Sequence, residues 1–329
     1  MKNLITSKKF AIILSHKGPD GDSLGSSLAL SEYLNKINIS NKVIIPDDFP
    51  ENYNWLNGID QVEVASKNIS KVEEYFKTSD LIFCLDFNHR SRVGPLLSPL
   101  LSEIDDSKTI VVIDHHTYPE NFGDHELIDS DASSTSELVY RFIENNDDLD
   151  LVDEKIAEPI YLGIISDTGS FKYSSVSSST HKVASHLISI GLDHTKIHNN
   201  IYDQNEISKI NLLGYALQKI KVDASSKLAY LALSQKELEK FNFKKGDTEG
   251  FVNYCLSLKS VEVAAFLRED SNMIKISFRS KGKIKVNDFS RLYYNGGGHQ
   301  NAAGGAVHGT DIEMVLKDLL INFKSFCSD

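Results

Sequence analysis

Short, continuously apolar runs that end in acids restrict this chain's fold more than any other feature of its sequence. Residues 10–14 read Phe-Ala-Ile-Ile-Leu, residues 81–85 Leu-Ile-Phe-Cys-Leu, and residues 109–113 Thr-Ile-Val-Val-Ile. Such a run is short for a helix and apolar on both sides, so it reads as a strand of a parallel sheet covered by helices on both faces. Between the runs, Leu24, Leu28, Leu34 and Ile37 recur near helical spacing, and residues 42–45 form a further strand-like segment before Pro46. Strands alternating with helices imply right-handed crossovers and an α/β sheet. The first run leads into His16-Lys17-Gly18-Pro19-Asp20-Gly21-Asp22, the second into Asp86, and the third into Asp114-His115-His116. Open α/β sheets bind ligands at the C-terminal ends of their strands. A fourth acid, Asp167, follows residues 156–165, where Ile156, Ile160 and Ile164 recur at helical spacing. Converging acids repel one another unless cations neutralise them. The pattern therefore points to a divalent metal site.

The 329 residues suit two domains. A hydrophobic content of 41% with 25% charged residues is ordinary for a soluble globular protein. The net charge of −11 argues against wrapping long nucleic acid, duplex included, which needs broad basic surfaces, and leaves a small anionic substrate held by local cations. Three widely separated cysteines, Cys84, Cys255 and Cys327, form neither a disulfide framework nor a zinc spacing, which fits a reducing compartment. The first nine residues lead straight into the first strand, and no apolar run has the length of a signal or membrane segment. A cytoplasmic protein without membrane contact is expected, and a homodimer is left open.

Later segments refine the layout. Ser134-Thr135-Ser136-Glu137 has the form of a capping box and opens a helix carrying Leu138, Val139, Phe142 and Ile143. A serine-rich stretch precedes a helix over about 180–190 closed by Gly191. Residues 227–233 read as a strand, 234–241 as a capped helix, and 261–267 and 273–278 as adjacent strands, the last alternating Ile274, Ile276 and Phe278 with polar residues. These boundaries predict a metal-binding α/β domain over 1–190, a helical connector over 191–218, and a smaller α+β domain over 219–329.

Within the clusters, Gly18, Pro19 and Gly21 give the first loop a tight path that lets His16, Asp20 and Asp22 converge. Asp20 or Asp22 as a mere helix cap is the plainer alternative. Asp86, with two oxygens, is the natural bridging carboxylate between two ions. Adjacent side chains on a strand point to opposite faces, so His115 and His116 must divide two jobs, one on metal and one toward substrate or a supporting acid. His89 reads as a surface or supporting histidine. In the second half, Gly296, Gly297 and Gly298 precede His299, and glycines let backbone N–H groups approach an anion. Arg279 and Lys281 lie nearby as phosphate partners, whereas Lys283, Lys285 and Arg291 read as a solvated face.

Taken together, HKGPDGD, Asp86, Asp114-His115-His116, Ser166-Asp167-Thr168-Gly169 and Gly296-Gly297-Gly298-His299 resemble the DHH/DHHA1 phosphoesterase family, in that family's order and over nearly the whole chain. The similarity is greatest to its bifunctional oligoribonucleases that also act on 3′-phosphoadenosine-5′-phosphate. The resemblance implies two domains with the active site in the cleft between them and two Mn2+ ions, Mg2+ being the alternative. One ion would take His16, Asp20 and Asp86, and the other Asp22, Asp86, His115 and Asp167. Asp114 and His116 would complete the catalytic groups, and Arg279 with the glycines and His299 would hold a phosphate or terminal nucleotide. The implied substrates are short oligoribonucleotides, dinucleotides or 3′-phosphoadenosine-5′-phosphate. Linear dinucleotides derived from cyclic signalling nucleotides are the close alternative, and a non-catalytic nucleotide or metal sensor is the alternative from another class. An inorganic pyrophosphatase is disfavoured by the glycine-rich loop, and a long-strand exonuclease by the acidic charge.

Overall fold

The computed structural model describes residues 5–327, so the first four residues of the N-terminal segment lie outside it, as do the last two of the chain. The chain forms two compact units, residues 1–204 and 205–329. The first runs β1 (Phe10–Leu14), α1 (Gly21–Lys36), β2 (Ser40–Ile45), β3 (Glu63–Val64), α2 (Ile69–Thr78), β4 (Leu81–Leu85), α3 (Gly94–Ser102), β5 (Thr109–Asp114) and β6 (His125–Ile128), followed by α4 (Thr135–Glu144), α5 (Glu154–Asp167), α6 (Ser178–Ser189) and α7 (His194–Tyr202). Its six strands are all parallel, in the order β3-β2-β1-β4-β5-β6.

Continuous apolarity has its expected cause, because alternate residues of each central strand enter different cores. Ala11, Ile13, Phe83, Leu85, Val111 and Ile113 pack with residues of α1, α4 and α5. Ile12, Leu14, Ile82, Cys84, Ile110 and Val112 pack with Val72 and Phe76 of α2 and Leu97 and Leu101 of α3. The strand order reverses between β1 and β4, and a ligand crevice opens at such a switch point beyond the carboxyl ends of the strands. On the first face α1 meets α5 through glycine. A Cβ at Gly25 would lie 2.4 Å from the Pro159 carbonyl oxygen, and one at Gly21 2.0 Å from Ser166 Oγ. Helix α6 begins inside the serine-rich stretch, because Ser177 and Thr180 form a capping box there.

The second unit holds α8 (Ile207–Gln218), β7 (Lys221–Asp223), β8 (Leu228–Leu233), α9 (Gln235–Lys240), α10 (Phe251–Leu256), β9 (Val263–Asp270), β10 (Met273–Ser280), α11 (Val286–Tyr294), β11 (Gly297–His299), β12 (Ala302–His308) and α12 (Ile312–Phe326). Its strands are ordered β11-β12-β10-β9-β8-β7, with β8 and β9 parallel and the other pairs antiparallel. Ile274, Ile276 and Phe278 face a core shared with α11 and α12. Ala229, Leu231, Leu233, Ala264 and Phe266 face the opposite core, shared with α8, α9 and α10. A parallel α/β unit followed by a smaller α+β unit is the expected fold class. Among the described residues, no helix is long and apolar enough to cross a membrane.

Candidate metal centre

The loop after β1 supplies the first carboxylates and imidazole. His16 Nδ1 donates to the Lys17 carbonyl at 3.0 Å, which turns Nε2 toward Asp20 Oδ2 at 3.7 Å and Asp86 Oδ2 at 3.4 Å. Asp20 is the N-cap of α1, its Oδ1 accepting from the Asp22 and Ser23 N–H groups at 3.1 and 3.0 Å. Capping uses Oδ1 and leaves Oδ2 toward His16, so the capping and ligand readings of Asp20 are compatible.

Asp22, in the first turn of α1, is completely buried. Its two oxygens accept from the first backbone N–H groups of α4, Thr135 at 2.7 Å and Ser136 at 2.9 Å. The N-terminus of a helix favours negative charge, through both its unpaired donors and its dipole. Gly163 of α5 permits this packing, since a Cβ there would lie 1.8 Å from Ser136 Oγ and 2.5 Å from Asp22 Oδ1.

Asp86 follows β4 with φ +64°, a left-handed conformation that aspartate tolerates better than most residues. Its N–H donates to the Ile113 carbonyl at 3.1 Å, pinning the turn to β5. Oδ1 accepts from Thr135 Oγ1 at 3.1 Å and lies 3.6 Å from His115 Nε2, while Oδ2 faces His16. The two oxygens of one carboxylate therefore face two different imidazoles, as a bridging ligand requires.

At the end of β5 the paired histidines diverge. His115 Nδ1 donates to the Ala132 carbonyl at 3.3 Å, and its Nε2 faces Asp167 Oδ2 at 3.1 Å, Asp86 Oδ1 at 3.6 Å and Asp22 Oδ2 at 3.7 Å. His116 Nδ1 instead donates to Asp114 Oδ1 at 2.7 Å. Asp167, the last residue of α5, reaches the cluster because α1 and α5 pack closely. Among the groupings that result are the expected triads His16/Asp20/Asp86 and Asp22/His115/Asp167, with Asp86/Asp114/His116 beside them, and in each the candidate ligand atoms lie within 4.8 Å of one another.

The charges explain why such a cluster suits cations. Burial, followed by the Asp167 charge, pushes Asp22 up to about 7 against the pull of His115. Burial and then the charges of Asp22 and Asp20 push Asp86 well above the usual carboxylate range. Burial lowers the His115 pKa, but its bond to Asp167 and the surrounding carboxylates outweigh this and hold it well above 6.5. Burial first, and mutual repulsion second, thus disfavour the charged forms of both carboxylates, Asp22 and Asp86. A histidine whose Nδ1 is held by a carbonyl and whose Nε2 is ringed by carboxylate oxygens has the arrangement of a metal ligand. The donor set, mixed imidazole and carboxylate, fits divalent ions. For Asp114, burial raises the pKa but the His116 hydrogen bond outweighs it, and the carboxyl stays low. Its Oδ2 is buried with no hydrogen-bond partner among the described residues. Burial lowers the His116 pKa against the opposing pull of Asp114.

Several supports carry no sequence signature of metal binding. Thr135, Ser136 and Ala132 hold Asp86, Asp22 and His115 through a hydroxyl, two backbone N–H groups and a carbonyl. The expected capping box at Ser134 is half formed. Ser134 Oγ accepts the Glu137 N–H at 3.0 Å, but the Glu137 carboxylate turns to Ser133 and Thr180 instead of the Ser134 N–H. His89 is half-exposed, 3.7 Å from Glu120.

In the second unit the glycine run is a strand, not a loop. Gly297–His299 pairs with β12, and His299 and Arg279 both stand opposite Ala302, on either side of it. Directly opposed residues share a face, so Arg279 and His299 flank small Ala302 on the sheet face away from α11 and α12. Gly296 and Gly298 are needed for close approach, since a Cβ would lie 2.0 Å from the Gly304 carbonyl oxygen and 2.5 Å from that of Ala302. Only Gly297 of the three has open space beside it. Arg279 places one guanidinium N–H on its neighbour's carbonyl, Phe278 O at 2.9 Å. Lys281 departs from the sequence expectation, because its ammonium donates to the Leu258 and Val261 carbonyls at 3.0 and 2.9 Å and so braces the backbone.

Comparison with known proteins places these units. Residues 11–164 match the model of the DHH family, N-terminal domain, and residues 225–328 match that of the DHHA1 domain. The chain is 26% identical over 310 residues to the bifunctional oligoribonuclease and PAP phosphatase NrnA of Bacillus subtilis, covering 94% of this chain and 93% of that protein. It is 27% identical over 330 residues to the cyclic-di-AMP phosphodiesterase GdpP of the same organism, covering 97% of this chain but 48% of that protein. A crystal structure of an exopolyphosphatase-related protein from Bacteroides fragilis superposes with a TM-score of 0.93 at 35% identity, covering 99% of this chain and 94% of that one.

Proposed function

This chain belongs to the DHH/DHHA1 phosphoesterase family and is a phosphoric ester hydrolase, and from that premise we propose that it hydrolyses short oligoribonucleotides to mononucleotides with two divalent ions, preferentially Mn2+. Removal of a phosphate from 3′-phosphoadenosine-5′-phosphate is a second activity of the same site. The observation that carries the reading is the Asp86 carboxylate, whose oxygens face the imidazoles of two separate triads. His16, Asp20 and Asp86 would hold one ion, and Asp22, Asp86, His115 and Asp167 the other. Bound there, the ions supply Lewis acidity at a phosphoryl oxygen and a water of lowered pKa.

The protein's own groups have distinct tasks. Asp114 fixes the His116 ring through Nδ1–H, which selects the tautomer whose Nε2 is the acceptor. His116 takes a proton from the attacking water and returns it to the departing oxygen. In the second unit Arg279, Gly296, Gly297, Gly298 and His299 capture a terminal phosphate, with small Ala302 between Arg279 and His299 leaving room for it. A second reading, hydrolysis of linear dinucleotides from cyclic-dinucleotide signalling, is favoured by the likeness to the cyclic-di-AMP phosphodiesterase along 97% of this chain. Hydrolysis of a diribonucleotide of uridine and cytidine, a linear di-adenylate, a long single strand, 3′-phosphoadenosine-5′-phosphate and pyrophosphate should be compared with Mn2+ present. The proposal expects the diribonucleotide to lead by kcat/KM. A clear preference for the long strand or pyrophosphate would overturn it, and preference for the di-adenylate would favour the second reading.

A further inference from the structure

We infer that Glu137, which none of the expected metal ligands touches through a hydrogen bond, is a positioning residue for three of them at once. The inference rests on the proposed metal centre. Residues 132–136 form the clasp of that centre: Ala132 O accepts from His115, Thr135 N–H and Ser136 N–H donate to Asp22, and Thr135 Oγ1 donates to Asp86. The shape of this segment therefore sets one imidazole and two carboxylates. Glu137, fully buried in the first turn of α4, binds the segment from behind. Its Oε2 accepts from Ser133 Oγ at 2.5 Å, from Ser133 N–H at 3.3 Å and from Thr180 Oγ1 of α6 at 2.9 Å. Its Oε1 accepts from Arg141 Nη2 at 2.5 Å, and Arg141 Nη1 reaches Asp129, just ahead of the segment, at 2.7 Å.

A helix-starting glutamate ordinarily returns its carboxylate to the N-cap N–H, forming a capping box. Here that arm is released to Ser133 and Thr180, so the carboxylate ties the clasp to a second helix and, through Arg141, to the far end of the loop. Four bonds end on one buried carboxylate, a further one links Arg141 to Asp129, and none is needed merely to start α4, which Ser134 already caps. Supporting residues behind metal ligands characteristically change affinity about 10–100-fold when removed.

The test is Mn2+ affinity, read from the free ion by electron paramagnetic resonance in a titration of the full-length metal-depleted protein. Glu137→Gln keeps size but loses the charge facing Arg141 and one acceptor. It should weaken Mn2+ binding about tenfold or more, while turnover at saturating Mn2+ recovers most of the wild-type value. Thr180→Val, which removes a single donor, should shift affinity in the same direction by less. Asp148→Asn serves as the comparison, a buried carboxylate beyond the other end of α4 that accepts from Tyr33 Oη at 2.7 Å. It should lower the melting temperature without altering Mn2+ affinity. Wild-type Mn2+ affinity in folded Glu137→Gln would overturn the inference while leaving the metal centre intact. Should Glu137→Gln fail to fold, unchanged affinity in Thr180→Val would overturn it equally. A wild-type protein that binds no Mn2+ would overturn the proposed function, and this inference with it.

Discussion

Asp86 combines a strained backbone with a doubly facing carboxylate, and both follow from its place just after β4 at the switch point of the sheet. The left-handed backbone costs on the order of 1 kcal/mol for a residue other than glycine, and it is held by the Asp86 N–H bond to β5 and the Thr135 hydroxyl. Asp86→Ala removes a ligand from both triads. It should release both ions and lower turnover by at least about a hundredfold, measured on protein shown by circular dichroism to be folded. Near-normal turnover with two bound ions would contradict the bridging role. Asp22 gives a pH dependence. In the metal-free protein its pKa is raised from 3.8 to about 7, so the folded state holds more protons than the unfolded state across that interval. This group's contribution therefore favours folding on the acid side and declines as pH rises through about 7. Burial and then the Asp167 charge raise this pKa, and a bound cation offsets both. The gain in melting temperature on adding Mn2+ should accordingly grow from about pH 5.5 to about pH 8, and a gain that shrinks over that range would contradict the assignment.

At the level of elements, close approach of α1 and α5 brings Asp22 and Asp167 toward the strand ends. Gly163→Ala would drive a methyl group into Ser136 Oγ and Asp22 Oδ1. Overpacking of this kind costs about 1–3 kcal/mol, and here the strain falls on a candidate ligand. Denaturant unfolding and a Mn2+ titration should show lost stability together with weakened binding, whereas unchanged binding would mean that the helices part without disturbing the cluster. The strands were readable because burial on both faces writes itself into residue type, and the strand-end acids came with them. Asp167 was readable from the isoleucine spacing of α5. The clasp was not, because backbone N–H and carbonyl groups of residues 132–136 are common to every sequence and only the packing of α4 against α1 gives them work. Nor was β11, where a glycine run disfavoured in strands becomes one because β12 supplies pairing partners and leaves no room for side chains at Gly296 and Gly298. Lys281 looked like an anion partner from its charge and position, but nearby carbonyls of the 258–261 turn claim its ammonium.

For the molecule as a whole, the proposal assigns chemistry to the first unit and substrate capture to the second. Arg279→Ala and His299→Ala should then leave Mn2+ content unchanged and reduce kcat/KM on a dinucleotide. Loss of a charge-assisted hydrogen bond costs about 1.5–3 kcal/mol, roughly tenfold to a hundredfold in kcat/KM. A contact equal in ground and transition states would appear in KM alone, and one that orients the phosphorus would also lower kcat. With a net charge of −11 the rest of the protein offers a longer strand little compensating attraction. Unchanged kinetics in both variants would remove these residues from recognition. The central claim is that the carboxylate–imidazole cluster works only when filled by divalent cations, and the most direct measurement is hydrolysis of a diribonucleotide by chelator-stripped protein titrated with Mn2+. The account predicts no turnover in excess chelator and full recovery as two Mn2+ bind per chain, with Ca2+ a poor substitute. Full activity in excess chelator would contradict it.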